Sequence, residues 1–307
     1  MPILKRVRTI AAKVETTVGT AESLTASEGV FNAFDIDINA SIEVEEREAQ
    51  GSFDRLAGVA GARQGTMTFK TDVYIGAGQP AWASVLFLGC AYVPTSTVYT
   101  PRSEAPGTNV KTLTVGVFEN GIFKSLAGAT GNFKIVFPSG KKAYIEWEFK
   151  GVWQAPTATA LIAPTYPTDL PIRFAGGAAT FNSVALQVEN VTFDAGNEIV
   201  YREDPTTAAG YISTLITDRM PKITCNPETT TSQDRFALWV ASTEYAFAVS
   251  VAGPSSSALA ISAPKAQVVN NQEGDRGKLQ IDELEFTCNK NGATKDAQVS
   301  ITVTPEV

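Results

Sequence analysis

Histidine is absent from the 307-residue sequence, and cysteine occurs only three times, as Cys90, Cys225 and Cys288. The first absence removes Ser-His-Asp and Cys-His triads, histidine-containing zinc sites and imidazole acid–base chemistry. The second, an odd set of widely spaced thiols without a CxxC pair, fits buried thiols in a reducing compartment better than a disulfide framework. No apolar run approaches the ~18 residues of a membrane-spanning helix, so no membrane partner is expected. Residues 1–8 carry positive charge with no apolar segment behind it, unlike a signal peptide. The expectation is a chain that stays in the cytoplasm where it is made. Basic residues are in deficit too, 25 against 32 acidic, for a net charge of −7. That balance argues against gripping nucleic acid by phosphate neutralisation, but not against nucleic acid sliding past.

What is present is strand pattern. An apolar share of 44% describes a folded globular protein, long enough for two domains of ordinary size. Residues 31–48 alternate: Phe34, Ile36 and Ile38 against Asp35 and Asp37, then Ile42 and Val44 against Glu43 and Glu45. Period-two alternation predicts a strand with one greasy face and one charged face. The pattern returns in the second half, where Phe181 and Asn182 echo Phe31 and Asn32. Val184, Leu186 and Val188 take the places of Phe34, Ile36 and Ile38, while Gln187 and Glu189 stand for Asp37 and Asn39.

Along the chain, residues 10–20 read as an N-terminal arm ending in a turn at Gly19. Residues 49–65, rich in small and polar residues, read as a long loop or extended hairpin, and 66–75 as a strand. Pro80 followed by Trp82, Val85, Leu86 and Gly89 at helical spacing predicts a short helix laid on a sheet. Further strands are expected over 95–100, 111–119, 132–137 and 142–152, with Asn120-Gly121 as a hairpin turn. The Pro-rich stretch 154–171 reads as a linker. Beyond it come an irregular stretch over 196–210, a strand near 223–225, and a helix from Ser232 through Phe236, Leu238, Trp239 and Val240. Glu146-Trp-Glu-Phe149 is answered by Glu283-Leu-Glu-Phe286. Landmarks repeated in the same order indicate an internal duplication. The division is 1–153 for a first β unit with its arm, 154–171 for the linker and 172–307 for a second unit, each mainly β with one short helix.

A series of residues in matching order resembles the major tail tube proteins of long-tailed bacteriophages. It comprises Glu15-Thr-Thr-Val-Gly-Thr20, Pro80-Ala-Trp82 with Gly89-Cys90, Gly116-Val-Phe118 to Gly121, and Leu126-Ala-Gly-Ala-Thr-Gly131. It continues in Tyr144-Ile-Glu-Trp-Glu-Phe-Lys-Gly151, Asn197-Glu198 and Ile216-Thr-Asp-Arg219. The resemblance implies sheet-plus-helix units that assemble side by side into a ring-shaped β-barrel, with rings stacked into a hollow tail. A tandem version implies a homotrimeric, pseudo-hexameric ring. If each of six units gives four strands, the 24 strands, spaced about 4.8 Å apart and tilted about 40°, close to a diameter of about 45–50 Å. A duplex about 20 Å across passes such a bore.

On this reading Asp35, Asp37, Lys70, Asp72, Glu146, Glu148, Gln187, Glu189, Glu283 and Glu285 are candidates to face the lumen, where carboxylates repel phosphate and let DNA move without specific binding. An ordinary solvated sheet face gives the same alternation. Arg47, Arg55, Arg63, Glu198 and Arg202 are candidates for contact between rings. Glu146 with Glu148, and Glu283 with Glu285, share strand faces as a general acid/base pair requires, but no other sign of a pocket accompanies them. Asp35, Asp37 and Asp72 lack the glycine-centred acidic loop of a calcium site. No enzymatic activity, metal or cofactor is expected. The implied partners are further copies of the chain, the tape measure protein, adjoining tail proteins and passing DNA; the implied location is the virion, after assembly in the host cytoplasm. Alternatives are another tail component of the same fold (distal tail, tail terminator or contractile-machine inner tube) and a β-sandwich adhesin or carbohydrate-binding module.

Overall fold

The computed structural model describes residues 6–28, 31–231 and 233–306. The first half holds β1 (Arg8–Val14), β2 (Ala33–Glu48), β3 (Arg55–Asp72), a π-helical turn (Trp82–Leu86) running into α1 (Phe87–Gly89), β4 (Tyr92–Thr95), β5 (Val98–Pro101), β6 (Leu113–Glu119), β7 (Gly121–Pro138), β8 (Tyr144–Trp153) and β9 (Thr157–Thr159). The second holds β10 (Ala178–Phe181), β11 (Val184–Ala185), β12 (Val188–Asp194), β13 (Asn197–Glu203), β14 (Tyr211–Arg219), β15 (Lys222–Pro227), α2 (Arg235–Val240), β16 (Glu244–Ala252), β17 (Ala258–Arg276), β18 (Leu279–Cys288) and β19 (Ser300–Thr304). The chain is mainly β, as its alternation predicts. Pairing links seventeen strands, which do not close into a barrel, and β13–β14 form a separate hairpin.

Antiparallel pairing runs β2–β3–β8–β7 in the first half and β12–β15–β18–β17 in the second. The two runs join where β7 pairs with β12, from Lys134↔Asp194 to Pro138↔Asn190. On a second layer β1–β6 continues from β7, and β10–β16 continues from β17. Strands β7 and β17 thus each serve two layers, changing partner part-way along. In β7 the change falls at Gly128, whose φ of +58° goes with a register shift against β8.

Between the layers lie the aromatics that the alternation points inward. Phe69, Phe87, Phe133, Trp147 and Phe149 are fully buried together, with Phe87 and Phe133 rings 4.8 Å apart. Phe181, Phe247 and Phe286 form the second cluster, and Phe133–Phe193 at 5.9 Å bridges the halves. The helix over 82–89 packs here: Trp82 is buried and its Nε1–H donates to Tyr74 O at 3.0 Å. Trp239 of α2 is only half-buried, unlike Trp82 and Trp147.

Several elements differ from the sequence expectation. The strand expected over 95–100 is the hairpin β4–β5, turned at Ser96 with φ +60°. Residues 121–138 form one long strand that includes the Leu126–Gly131 motif. The 49–65 stretch is the extended hairpin of its two readings, with β2 and β3 joined through residues 49–54. The irregular stretch 196–210 begins with β13, because Ile199 and Tyr201 pack onto a partner strand that local pattern does not reveal. The strand echo over 184–189 is broken between β11 and β12. Ser232, the expected cap of α2, lies outside the described residues; Asp234 caps that helix by accepting from Ala237 N at 2.9 Å. The proline-rich 154–171 stretch is not free chain, since it contains β9 paired to β7.

Candidate functional site: a polar sheet face with two open edges

The eight strands from β2 to β17 present one polar face away from the core. In β3 the core face is Gly65, Met67, Phe69 and Thr71, leaving Thr66, Thr68, Lys70 and Asp72 opposite. Register carries this face across the sheet: Lys70↔Glu146, Glu146↔Lys134, Lys134↔Asp194, Asp194↔Lys222. A parallel row runs Thr68↔Glu148, Glu148↔Asn132. In the second half Thr192, Thr224, Glu285 and Asn270 face one another in turn.

The face is therefore a mixed-charge ladder, not the acidic wall expected from each strand taken singly. Lys70 Nζ lies 3.1 Å from Glu146 and 3.6 Å from Asp35. Lys134 meets Asp194 at 3.0 Å, Lys222 meets Glu285 at 2.7 Å, and Lys150 approaches Glu148 at 3.7 Å. The bond to Glu146 holds the Lys70 ammonium above the ordinary lysine range, and the bond to Asp194 does the same for Lys134. Opposite charges directly across strands stabilise a sheet by a few tenths of a kcal/mol to about 1 kcal/mol each.

Of the lumen candidates, Asp35, Lys70, Glu146 and Glu148 line one shallow depression of about 220 Å³, and Glu283 and Glu285 line another of about 290 Å³ in the second half. Asp37 accepts from Asn39 Nδ2 at 2.6 Å, and Asp72 pairs with Lys142 at 2.7 Å. Gln187 and Glu189 instead line a larger cleft with Arg276, which is bound to Glu228 at 2.7 Å. Asn226 Oδ1 accepts from the backbone N–H of both Glu189 and Asn190, pinning a bulge there. Asp35 sits in a matching bulge of β2, at φ +51°. That bulge puts Phe34 opposite Lys70 while Ile36 stays buried, so the expected shared face of Phe34, Ile36 and Ile38 is split.

Sequence reasoning missed Lys134, Asp194, Lys222, Asn132 and Thr224; alternation in strands β7, β12 and β15 marks them, but only cross-strand register brings them to the candidates. It also missed the Arg235–Asp282 pair at 2.6 Å, with side chains 1% and 9% exposed. Asp282 follows the core parity of Leu284 and Phe286, and Arg235 rises from α2 to meet it.

The contact candidates fall on two hairpins. Arg47 and Arg55 lie toward the free end of β2–β3, where Arg55 pairs with Glu46. Arg63, near its base, donates its backbone N–H to Ala209 O at 3.0 Å. Glu198 and Arg202 lie on β13.

The sheet ends in two open edges. Among the described residues β2 pairs only with β3, and β17 beyond Gln267 pairs only with β18. The molecule is thus an open, two-layered antiparallel β protein with a polar face, and among the described residues the strand at either end of that face is paired along one side only. Compared with protein-family models and with curated proteins, the chain gives no match.

Proposed function

We propose that the chain is a structural subunit of a hollow tube, the major tail tube protein of a long-tailed phage or related particle, built from two tandem copies of one fold. One observation carries this reading: the pairing order β2–β3–β8–β7 recurs as β12–β15–β18–β17, and the chain splices the two runs edge to edge at β7–β12. The open edges β2 and β17 correspond to the two edges joined at that splice. Applying the same joint between chains is a head-to-tail contact, which closes into a ring when the rotation divides a full turn. Three copies then contribute 24 strands to one barrel, with a diameter of about 45–50 Å, and closure removes the edges that otherwise invite aggregation.

The polar face turns inward on this reading. Its paired lysines and carboxylates give DNA neither a phosphate-binding track nor strong repulsion, which suits passage without retention. The rings stack around the tape measure protein during assembly and conduct the genome afterwards. Negative-stain imaging of the purified protein over a concentration series tests the reading. Rings or tubes with a central bore are the expected result, and a protein monomeric at every concentration overturns it. Copy number separates the tube subunit, present in many stacked rings, from a terminator or distal tail component.

A further inference from the structure

The β2–β3 hairpin projects from the body as a two-stranded ribbon, exposed on both sides over residues 39–48 and 55–61. Ile42, Val44, Leu56 and Val59 are 44%, 60%, 46% and 53% exposed on it. Ile42 and Val44 lie on one face of the ribbon, Leu56 and Val59 on the other. A lone ribbon is marginal in water, and exposed aliphatic side chains mark it as a contact surface.

The second half holds the counterpart. The hairpin β13–β14 is inserted between β12 and β15, as the ribbon is between the sheet-forming parts of β2 and β3. It does not project. At Gly196, φ is +65° and the Met220 backbone comes so close that a Cβ would collide with it, so the hairpin bends there. It then lies on the first half, fastened by Asn197 Nδ2 to Cys90 O (3.0 Å) and Gly131 O (2.9 Å), and by Thr214 Oγ1 to Gly128 O (2.9 Å). The ribbon makes no such contact, since residues 39–48 and 55–61 stay exposed on both sides.

Resting on the ring reading, we infer that the ribbon of one copy docks across the second half of the next copy in the same ring, as β13–β14 docks within the chain. Matching Phe149↔Gly131 to Phe286↔Val268 places the dock beside Val268, with Lys265 near the position of Gly128. That surface is ready for a partner. Val240 is 71% and Met220 56% exposed, Lys290 is exposed, and Lys265 is held only loosely, 3.9 Å from Glu244. One face of the ribbon brings complementary groups: Val59 and Leu56, opposite Glu45 and Arg47, stand there with the exposed carboxylates Glu43 and Glu45. Where Gly128 lets backbone meet backbone inside the chain, Lys265 makes the contact between copies one of long side chains and charge.

A charge swap on the full chain tests this. K265E with K290E should raise the concentration at which rings form by about tenfold or more, since like charges then face one another. Adding E43K and E45K should restore assembly, and circular dichroism should show all variants folded like the parent. Rings that form normally but no longer stack assign the ribbon to contacts between rings and overturn the inference, as does assembly indifferent to the swap or unrescued by it. A parent protein that never forms rings fails the tube reading itself, a result distinct from any of these.

Discussion

Lys134 Nζ lies 3.0 Å from a carboxylate oxygen of Asp194, and this contact spans the seam between the first and second halves of the chain. Asp194 also accepts from Asn132 Nδ2 and from Gly196 N, each at 2.9 Å, so it fastens both the seam and the bend that follows it.

Asp194→Ala is expected to cost about 1–3 kcal/mol, because two donors lose their acceptor along with the ion pair. Lys134→Met should cost less than about 1 kcal/mol, since that side chain is 47% exposed and water screens its charge. Urea unfolding of both variants checks the order; equal costs would show that the ion pair, not the bend, carries the seam.

The buried Arg235–Asp282 pair behaves differently. Arg235 also donates to Glu228 O at 2.9 Å, and Thr229 Oγ1 donates to Asp282 at 2.8 Å. Removing one partner, as in Arg235→Met, leaves an uncompensated charge and should cost about 3–5 kcal/mol, while replacing both by apolar residues should cost distinctly less. A double-mutant cycle in denaturant measures the difference.

Glu15 is 3% exposed and accepts four bonds, from Gly19 N, Thr112 Oγ1, Thr114 Oγ1 and Gly128 N, at 2.6–2.9 Å. Glu15→Gln substitutes a donor for one acceptor oxygen and should destabilise by about 1–3 kcal/mol, although shape is conserved. Calorimetric melting reads the loss.

Burial pushes the Cys225 and Cys288 thiols up to about 12, and Cys90 well above its ordinary value. Unfolded thiols ionise near pH 8.5. Because the folded values are higher, the stability these groups contribute is whole below about pH 8.5 and drains away as pH rises toward the folded values. Denaturation midpoints should fall across that window, and less steeply in Cys225→Val. Native thiols should resist alkylation at pH 8 and react once urea unfolds the chain.

Glu146→Lys with Glu148→Lys should leave ring formation intact, since both face away from the core, but should turn the ladder between Lys70 and Lys134 basic. On the tube reading DNA delivery then slows or stops, measured as infectivity of particles carrying the variant; unaltered infectivity removes both residues from the lumen.

Local pattern made the mainly β class, the short helix over 82–89, the Asn120-Gly121 turn and most strand positions legible, because period-two alternation and positive-φ turn residues act within a few neighbours. The same reasoning misplaced Phe34, since one left-handed residue at Asp35 shifts parity without any change in alternation. It took the polar face as acidic because the lysines that neutralise it stand on other strands.

Residue order alone settles which segments are strands and, between bulges, which side chains share a strand face. Only the tertiary structure decided that β7 splices to β12, that one hairpin lies down at Gly196 while its counterpart stands free, and that Asp282 turns inward to Arg235. Those outcomes depend on register, bulges and close backbone approach between distant segments, whose free energies appear only once the strands are paired.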